Sequence, residues 1–329
     1  MLYYFLRRFL YMLITIAIVS IVAFILIQLP PGDYLTSYIM QLESQGSEVS
    51  ESEIASLRRQ YGLDRPLYTQ YIMWVWNIVT RGDFGRSFQW NKPVKDLIWE
   101  RMAITTILAF AALIFTFVVA IPIGIYSALH KYSVGDFAFT IVGYVGLATP
   151  NFLLALILMF MGYKYFGASV GGLFSPEYME ASWSLAKVVD LLAHLWIPVI
   201  VLGTAGTAGL IRIMRGMLLD ELQKQYVITA RAKGVKESRL IYKYPVRIAL
   251  NPIVSTLGWR LTTIISGAPI VAVVLSLPTT GPLLLRSLLS QDMYLAGAFF
   301  LLLCILTVLG TFISDVLLAS MDPRIRMGR

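Results

Sequence analysis

Six apolar stretches, each about twenty residues or longer, constrain this chain more than any other feature; they lie near residues 9–29, 104–129, 137–161, 190–211, 248–277 and 295–320. A helix crosses the roughly 30 Å hydrocarbon core of a bilayer with about 20 residues. None of the six alternates apolar with polar residues, as a membrane β-barrel strand does. The reading is an all-α integral membrane protein with six transmembrane helices. Composition agrees, with 57% hydrophobic residues, 14% charged residues and a mean hydropathy of +0.71. An ordinary soluble domain is about 25% charged, and a disordered chain combines low hydrophobicity with high charge; both are excluded. Arg7 and Arg8 precede the first stretch as they would in a signal peptide. The run is too long for one, however, and leads into Gln28-Leu29-Pro30-Pro31 instead of a small-residue cleavage site, so it reads as a retained helix.

The net charge of +8 alone would suggest nucleic acid, but its placement points to a membrane. Arg7 and Arg8, Lys131, nine basic residues within 212–247, and Arg324, Arg326 and Arg329 all fall on one side of a six-span topology. That bias marks the cytoplasmic face and puts both termini inside. The segment 30–103 falls on the opposite side and carries eight basic and nine acidic residues. The chain thus divides into a tail and first span (1–29), an extracytoplasmic segment (30–103) and a five-helix core (104–329) with a cytoplasmic loop at about 212–247. In the outer segment a short helix is expected over 54–61, ending at Gly62. Tyr68, Tyr71, Trp74 and Trp76 follow, as an aromatic belt at the membrane surface or, as the second reading, as surfaces on which a substrate stacks.

Catalytic and metal chemistry find little purchase. Cys304 is the one cysteine, and His130 and His194 stand far apart without evident polar company or a Ser/His/Asp set. No phosphate loop of the G-x-x-x-x-G-K-[ST] type is present, so the chain cannot cradle ATP in that way. An ion-coupled carrier or channel, or an intramembrane enzyme, is the competing class. It calls for acidic or His residues buried in the spans, or for a catalytic set there, and this chain offers neither. Arg260 lies in the middle of the fifth stretch. A charge at that depth costs about 2.5–3.5 kcal/mol on insertion scales and must face protein or water, as part of a path or of a structural pair. Asp315, near the end of the sixth, is expected to pair with an arginine.

The sharpest signal is the inner loop, Tyr226-Val227-Ile228-Thr229-Ala230-Arg231-Ala232-Lys233-Gly234-Val235, followed by Arg239, Ile241, Tyr242 and Pro245. Good helix formers are broken by Gly234, which is expected to end one helical piece and permit a bend into the next. Two membrane helices can be joined in a few residues, and here more than thirty are used. The loop is either a basic surface against lipid headgroups or a docking element for a cytosolic partner.

At these residues the chain resembles the permease subunits of ABC importers, in the branch that moves dipeptides, oligopeptides and nickel. Tyr226, Val227 and Thr229 through Gly234 match that family's cytoplasmic coupling loop. Further matches run along nearly the whole chain: Leu57-Arg58, Gly62-Leu63-Asp64, Pro66-Leu67, Gln70-Tyr71, Trp74, Gly82-Asp83, Gly85, Ser87, Pro93-Val94, Pro150-Asn151-Phe152, Arg212, Arg215 and Asp322-Pro323-Arg324-Ile325-Arg326. The resemblance implies a non-catalytic subunit of a bacterial or archaeal cytoplasmic membrane with the type I importer permease fold. It would form half of a pore for peptides. Its implied partners are a second, homologous permease subunit, two cytosolic ATPase subunits or domains that use ATP and Mg, and an extracytoplasmic solute-binding protein. This chain itself would bind no cofactor. Thr229, Ala230, Arg231, Ala232, Lys233, Gly234 and Arg239 would contact the ATPase.

Two positions depart from the family pattern. Ala103 replaces a usual proline, and Pro278-Thr279-Thr280-Gly281 replaces Pro-Gly-Leu-Gly. The second segment is extracytoplasmic, so the change bears on solute or binding-protein contact, and short oligosaccharides are the alternative cargo. Pro278 and Gly281 resist a helix. Pro278, Thr279, Thr280 and Gly281, with Arg260, are the expected path or gate residues.

Overall fold

The computed structural model describes residues 2–28, 65–87, 89–90, 92–167, 171–179, 181–182, 184–267, 269–290 and 292–321. The expected helix over 54–61 and the motifs Leu57-Arg58, Gly62-Leu63-Asp64 and Asp322-Pro323-Arg324-Ile325-Arg326 fall outside these. In chain order the helices are α1 (Leu2–Gln28), α2 (Leu67–Arg81), α3 (Val94–Leu129), α4 (Val134–Ala148), α5 (Asn151–Phe166), α6 (Leu185–Leu222), α7 (Gln225–Ala232), α8 (Glu237–Lys243), α9 (Pro245–Ala249), α10 (Asn251–Ser255), α11 (Leu257–Gly267), α12 (Pro269–Val274), α13 (Thr280–Leu289) and α14 (Met293–Met321). A 3₁₀ turn covers Pro176–Tyr178, and the described residues hold no strand beyond an isolated bridge between Arg86 and Pro93.

Helices α1, α3, α6 and α14 are each long and apolar enough to cross a membrane. Helix α1 has neither Gly nor Pro in its 27 residues, so nothing interrupts its hydrogen-bond ladder. Helix α3 starts ten residues before the expected 104, and Ala103 lies inside it. The proline usual in the family would remove an interior N–H there. Helix α6 outlasts the expected 190–211 at both ends, so the inner loop begins after Leu222 instead of at 212.

Two expected spans are not single helices. The stretch 137–161 is split into α4 and α5, which meet at 106°. Pro150 is responsible: it disfavours helical backbone at the preceding residue, and Thr149 is extended at φ −80°, ψ 121°. Both the N–H and the hydroxyl of Thr149 donate to the carbonyl of Val145, which closes the end of α4. The stretch 248–277 is broken into α9–α12, with prolines at or beside the start of α9, α10 and α12. Irregular backbone at membrane depth persists only where it is packed in protein or lines a wet cavity.

The chain forms two compact units, Met1–Leu10 with Ile104–Pro278 and Leu306–Arg329, and Tyr11–Ala103 with Thr279–Ile305. In the first, α6 is the axis on which α4, α5 and α9 pack. Its core falls into two apolar clusters. One gathers Leu108, Ala112, Leu195, Val201, Leu202, Val271 and Leu275, and the other Ala120, Ile125, Leu210, Met214, Leu218, Leu240 and Ile253. Near the two termini, Phe5 and Phe9 meet the edge of Phe312, and Arg8 pairs with Asp315 at 3.0 Å, the arginine partner expected for that aspartate.

In the second unit, Trp74 is buried with Ala23, Phe24 and Leu301, and the Tyr71 hydroxyl lies 2.7 Å from that of Ser20. Two of the four expected belt aromatics are therefore packed inward, while Tyr68 and Trp76 stay exposed. Asp292, fully buried, binds the Ser87 hydroxyl and the Gln89 and Leu295 amides, tying the 82–93 turn to the start of α14.

Candidate functional site

The segment 223–247 folds into a compact hook of short helices against the end of α6. Val227 of α7 and Leu240 and Ile241 of α8 bury themselves in the cluster that holds Met214 and Leu218. The turn between α7 and α8 is a Schellman motif. The Gly234 N–H donates to the Arg231 carbonyl at 3.0 Å, and the Val235 N–H to the Ala230 carbonyl at 3.3 Å. Gly234 has φ +76°, where a β-carbon costs about 1–2 kcal/mol. The bend expected at this glycine is present.

Two polar clasps hold the hook. Arg231 grips Glu237 with both ends of its fork, Nη2–Oε1 at 2.5 Å and Nε–Oε2 at 3.1 Å. That hydrogen bond holds the Glu237 carboxyl below its ordinary range. Both groups are exposed, so the pair orients α7 against α8 more than it stabilises. The Tyr226 hydroxyl donates to the Glu221 carboxylate, and partial burial together with that bond pushes the phenol pKa up, so it stays protonated.

Of the expected coupling residues, Thr229, Arg231, Ala232, Lys233, Gly234 and Arg239 are exposed. Ala230 instead turns inward with Val235 onto the chain's own core, so its small size serves internal packing. Tyr226 and Ile228, part of the quoted loop but not among the expected ATPase contacts, add exposed apolar surface to the hook.

Sequence reasoning passed over Asp136. This carboxylate, buried at the start of α4, receives a bidentate fork from Arg215 (3.1 and 2.8 Å) and the Tyr132 amide at 2.9 Å. The Ser133 hydroxyl caps the Asp136 amide. The pair clamps the α3–α4 connection to α6, 79 positions away in sequence, which no local pattern reveals. His194 also departs from expectation. Its Nδ1 lies 2.8 Å from the Asp190 carbonyl oxygen and 3.6 Å from its carboxylate, which in turn accepts from the Ser175 amide and hydroxyl. The hydroxyl thus donates to the carboxylate and not to the imidazole. That fastens the 171–179 loop to α6 and does not activate a nucleophile.

Arg260 is partly buried on α11. Its Nε donates to the Thr256 hydroxyl at 3.1 Å, and its guanidinium lies against Gly206 of α6. Pro278 ends the first unit outside any helix, and the second unit resumes with Thr279, extended at φ −99°, ψ 174°, as the N-cap of α13. The helix break expected at Pro278 is present, but Thr280 and Gly281 already belong to α13. Thr279 and Thr280 are buried, and the Thr279 hydroxyl oxygen is one of three described buried side-chain atoms without a hydrogen-bond partner. A buried unsatisfied hydroxyl costs about 1–3 kcal/mol. Thr279→Val is therefore expected to leave thermal stability unchanged or raise it by up to about 1 kcal/mol, read by thermal unfolding of the purified transporter. A clear loss would mean that this hydroxyl finds a partner in the assembly.

Long apolar helices, with a short helical hook on a clamped axis helix, define a multi-pass membrane protein. Residues 120–327 match the family described as binding-protein-dependent transport system inner membrane component, and residues 1–109 match its N-terminal counterpart. The chain belongs to this family, and it is a multi-pass protein of the inner membrane. It is 34% identical over 324 residues to the oligopeptide transport system permease protein AppB of Bacillus subtilis, covering 98% of each chain. To the oligopeptide transport system permease protein OppB of Haemophilus influenzae it is 32% identical, covering 99% of this chain and 100% of that one. To the dipeptide transport system permease protein DppB of Alkalihalophilus pseudofirmus it is 28% identical, with 99% and 100% covered.

Proposed function

We propose that the chain is a permease subunit of an ATP-driven importer and forms half of a translocation pore for peptides of the dipeptide and oligopeptide class. Similarity along the full chain to permeases named for oligopeptide and dipeptide transport supports the cargo. In this reading the membrane is crossed six times, by α1, α3, the bent α4–α5 pair, α6, the jointed α9–α12 stretch and α14. Both termini are cytoplasmic. The contact of Phe5 and Arg8 with Phe312 and Asp315 supports their being on one side. Residues 30–103 lie outside, where a solute-binding protein docks. A cleft of about 660 Å³ in the second unit, lined by Arg65, Arg81, Arg86 and Lys95 with Asp83, offers that partner a basic surface.

The observation that carries the mechanism is the α7–α8 hook. It is anchored from within by Val227, Leu240 and Ile241 and shows Tyr226, Ile228, Arg231, Lys233 and Arg239 outward. It is the coupling element that sits in a groove of a cytosolic ATPase. Two such ATPase subunits or domains bind ATP and Mg, and their closure displaces the hook and α6 as a rigid body. A second, homologous permease subunit completes the pore. Arg260 lies on the path. The segment 278–281 forms its outer constriction through the break before α13.

Ile228→Asp tests the docking. The side chain is exposed, so the chain should insert and fold normally. The ATPase recovered with the purified permease should fall at least about tenfold, equivalent to about 1.4 kcal/mol, and ATP-driven import should be lost with it. Undiminished recovery and import would overturn the role given to the hook.

A further inference from the structure

The two apolar clusters of the first unit are separated by a layer of small and polar residues contributed by three segments. On α3 the layer is Thr116, between Ala112 of one cluster and Ala120 of the other. On α6 it is the run 203–209, between Leu202 and Leu210. On the jointed stretch it is Arg260, beyond Ile253 and before Val271. The Thr116 and Thr207 hydroxyls both donate to the Gly203 carbonyl, at 2.9 and 2.8 Å, so this part of α6 is hydrogen-bonded sideways to α3.

Arg260 is aimed into this layer by its surroundings. Thr256 and Arg260 stand four residues apart and share one face of the chain there. The Thr256 hydroxyl accepts from the Arg260 Nε and orients the fork. A β-carbon on Gly206 would lie 3.0 Å from Nη1 of Arg260, so the glycine leaves the room that the guanidinium occupies. Gly258, two residues away and on the other side of α11, is pressed against the backbone of Gly310 and Thr311, which prevents α11 from rolling. A guanidinium remains charged under all physiological conditions and matches a carboxylate with two parallel hydrogen bonds. Backbone as broken as α9–α12 persists at this depth where it is packed in protein or lines a wet cavity, and the second of these is the setting in which a passing solute would reach such a group.

We propose that Arg260, set in the polar layer of Thr116, Gly206 and Thr256, is an intramembrane carboxylate site that favours passage of solutes with a free C-terminal carboxylate; this rests on the peptide-importer reading. The site acts on the solute after it has left the binding protein, where a desolvated carboxylate most needs a counter-charge.

The test uses the complete transporter, with its binding protein and ATPase subunits, in proteoliposomes. Import of penta-alanine and of its C-terminal amide is compared for wild type, Arg260→Gln and Arg260→Lys at matched amounts of assembled complex. Arg260→Gln should lower the acid-to-amide import ratio by about tenfold, the size of one lost charge-assisted hydrogen bond. Arg260→Lys should retain part of the preference and serves as the test variant if the glutamine form fails to assemble. An equal fall for acid and amide, or an unchanged ratio in both variants, overturns the carboxylate site and leaves Arg260 structural. A wild-type transporter that imports neither peptide overturns the peptide reading and the proposal with it.

Discussion

Arg215→Ala is expected to destabilise the protein by about 3–5 kcal/mol, the range for removing one partner of a buried ion pair. The fork of Arg215 provides two of the hydrogen bonds on Asp136, whose side chain is 5% exposed, and the Tyr132 amide alone cannot compensate a carboxylate at that burial. The prediction has a sharper second half. Asp136→Asn combined with Arg215→Leu should recover much of the loss, because the cost lies in the stranded charge and not in the missing attraction. Thermal unfolding of the single and double variants in one detergent gives the cycle. If the double variant is as unstable as Arg215→Ala, the pair holds the α3–α4 connection by geometry that no neutral substitute reproduces.

Gly258→Val should be equally severe for a different reason. A β-carbon at 258 would stand 2.4 Å from the Thr311 amide nitrogen and 2.6 Å from its α-carbon. These are backbone atoms, so no side-chain rotation relieves the overlap, and α11 would have to part from the C-terminal half of α14. Overpacking costs about 1–3 kcal/mol where side chains can adjust, and about 3 kcal/mol or more is expected here. Loss of assembled complex on expression is the simplest readout. Gly310→Ala should be milder, since its β-carbon would meet Gly258 at 3.0 Å. Full assembly of Gly258→Val would contradict the packing described.

How much of this was legible beforehand follows from the reach of each interaction. Four of the apolar stretches became helices long enough to cross, because length and composition are local properties of the chain. The turn at Gly234 was legible for the same reason. The break at Thr149-Pro150 carried its signal in a single dipeptide, outweighed by the apolar residues on either side. Asp136 with Arg215, and Gly258 with Gly310, were invisible because each joins residues more than fifty positions apart whose types are unremarkable alone. His194 and Asp190 stand four apart on one helix face, so their company was readable in principle. Ala230 matched a coupling motif, but the motif does not say which face of α7 looks inward.

The length of α6 has a mechanical consequence. At about 1.5 Å per residue its 38 residues make a rod of about 57 Å, nearly twice the thickness of the hydrocarbon core. The surplus is shared between its two ends; Pro198 interrupts the hydrogen-bond ladder in the first half, and the second half runs on without a proline to the hook. The chain leaving the hook has the opposite character: α9 to α12 are short links, with joints at Leu250 and Thr256. In the importer proposed above, a push on the hook would travel along α6, while the joints would take up the return path as changes of angle. On that proposal, one short surface element would drive one span as a lever and leave its neighbour free to reshape.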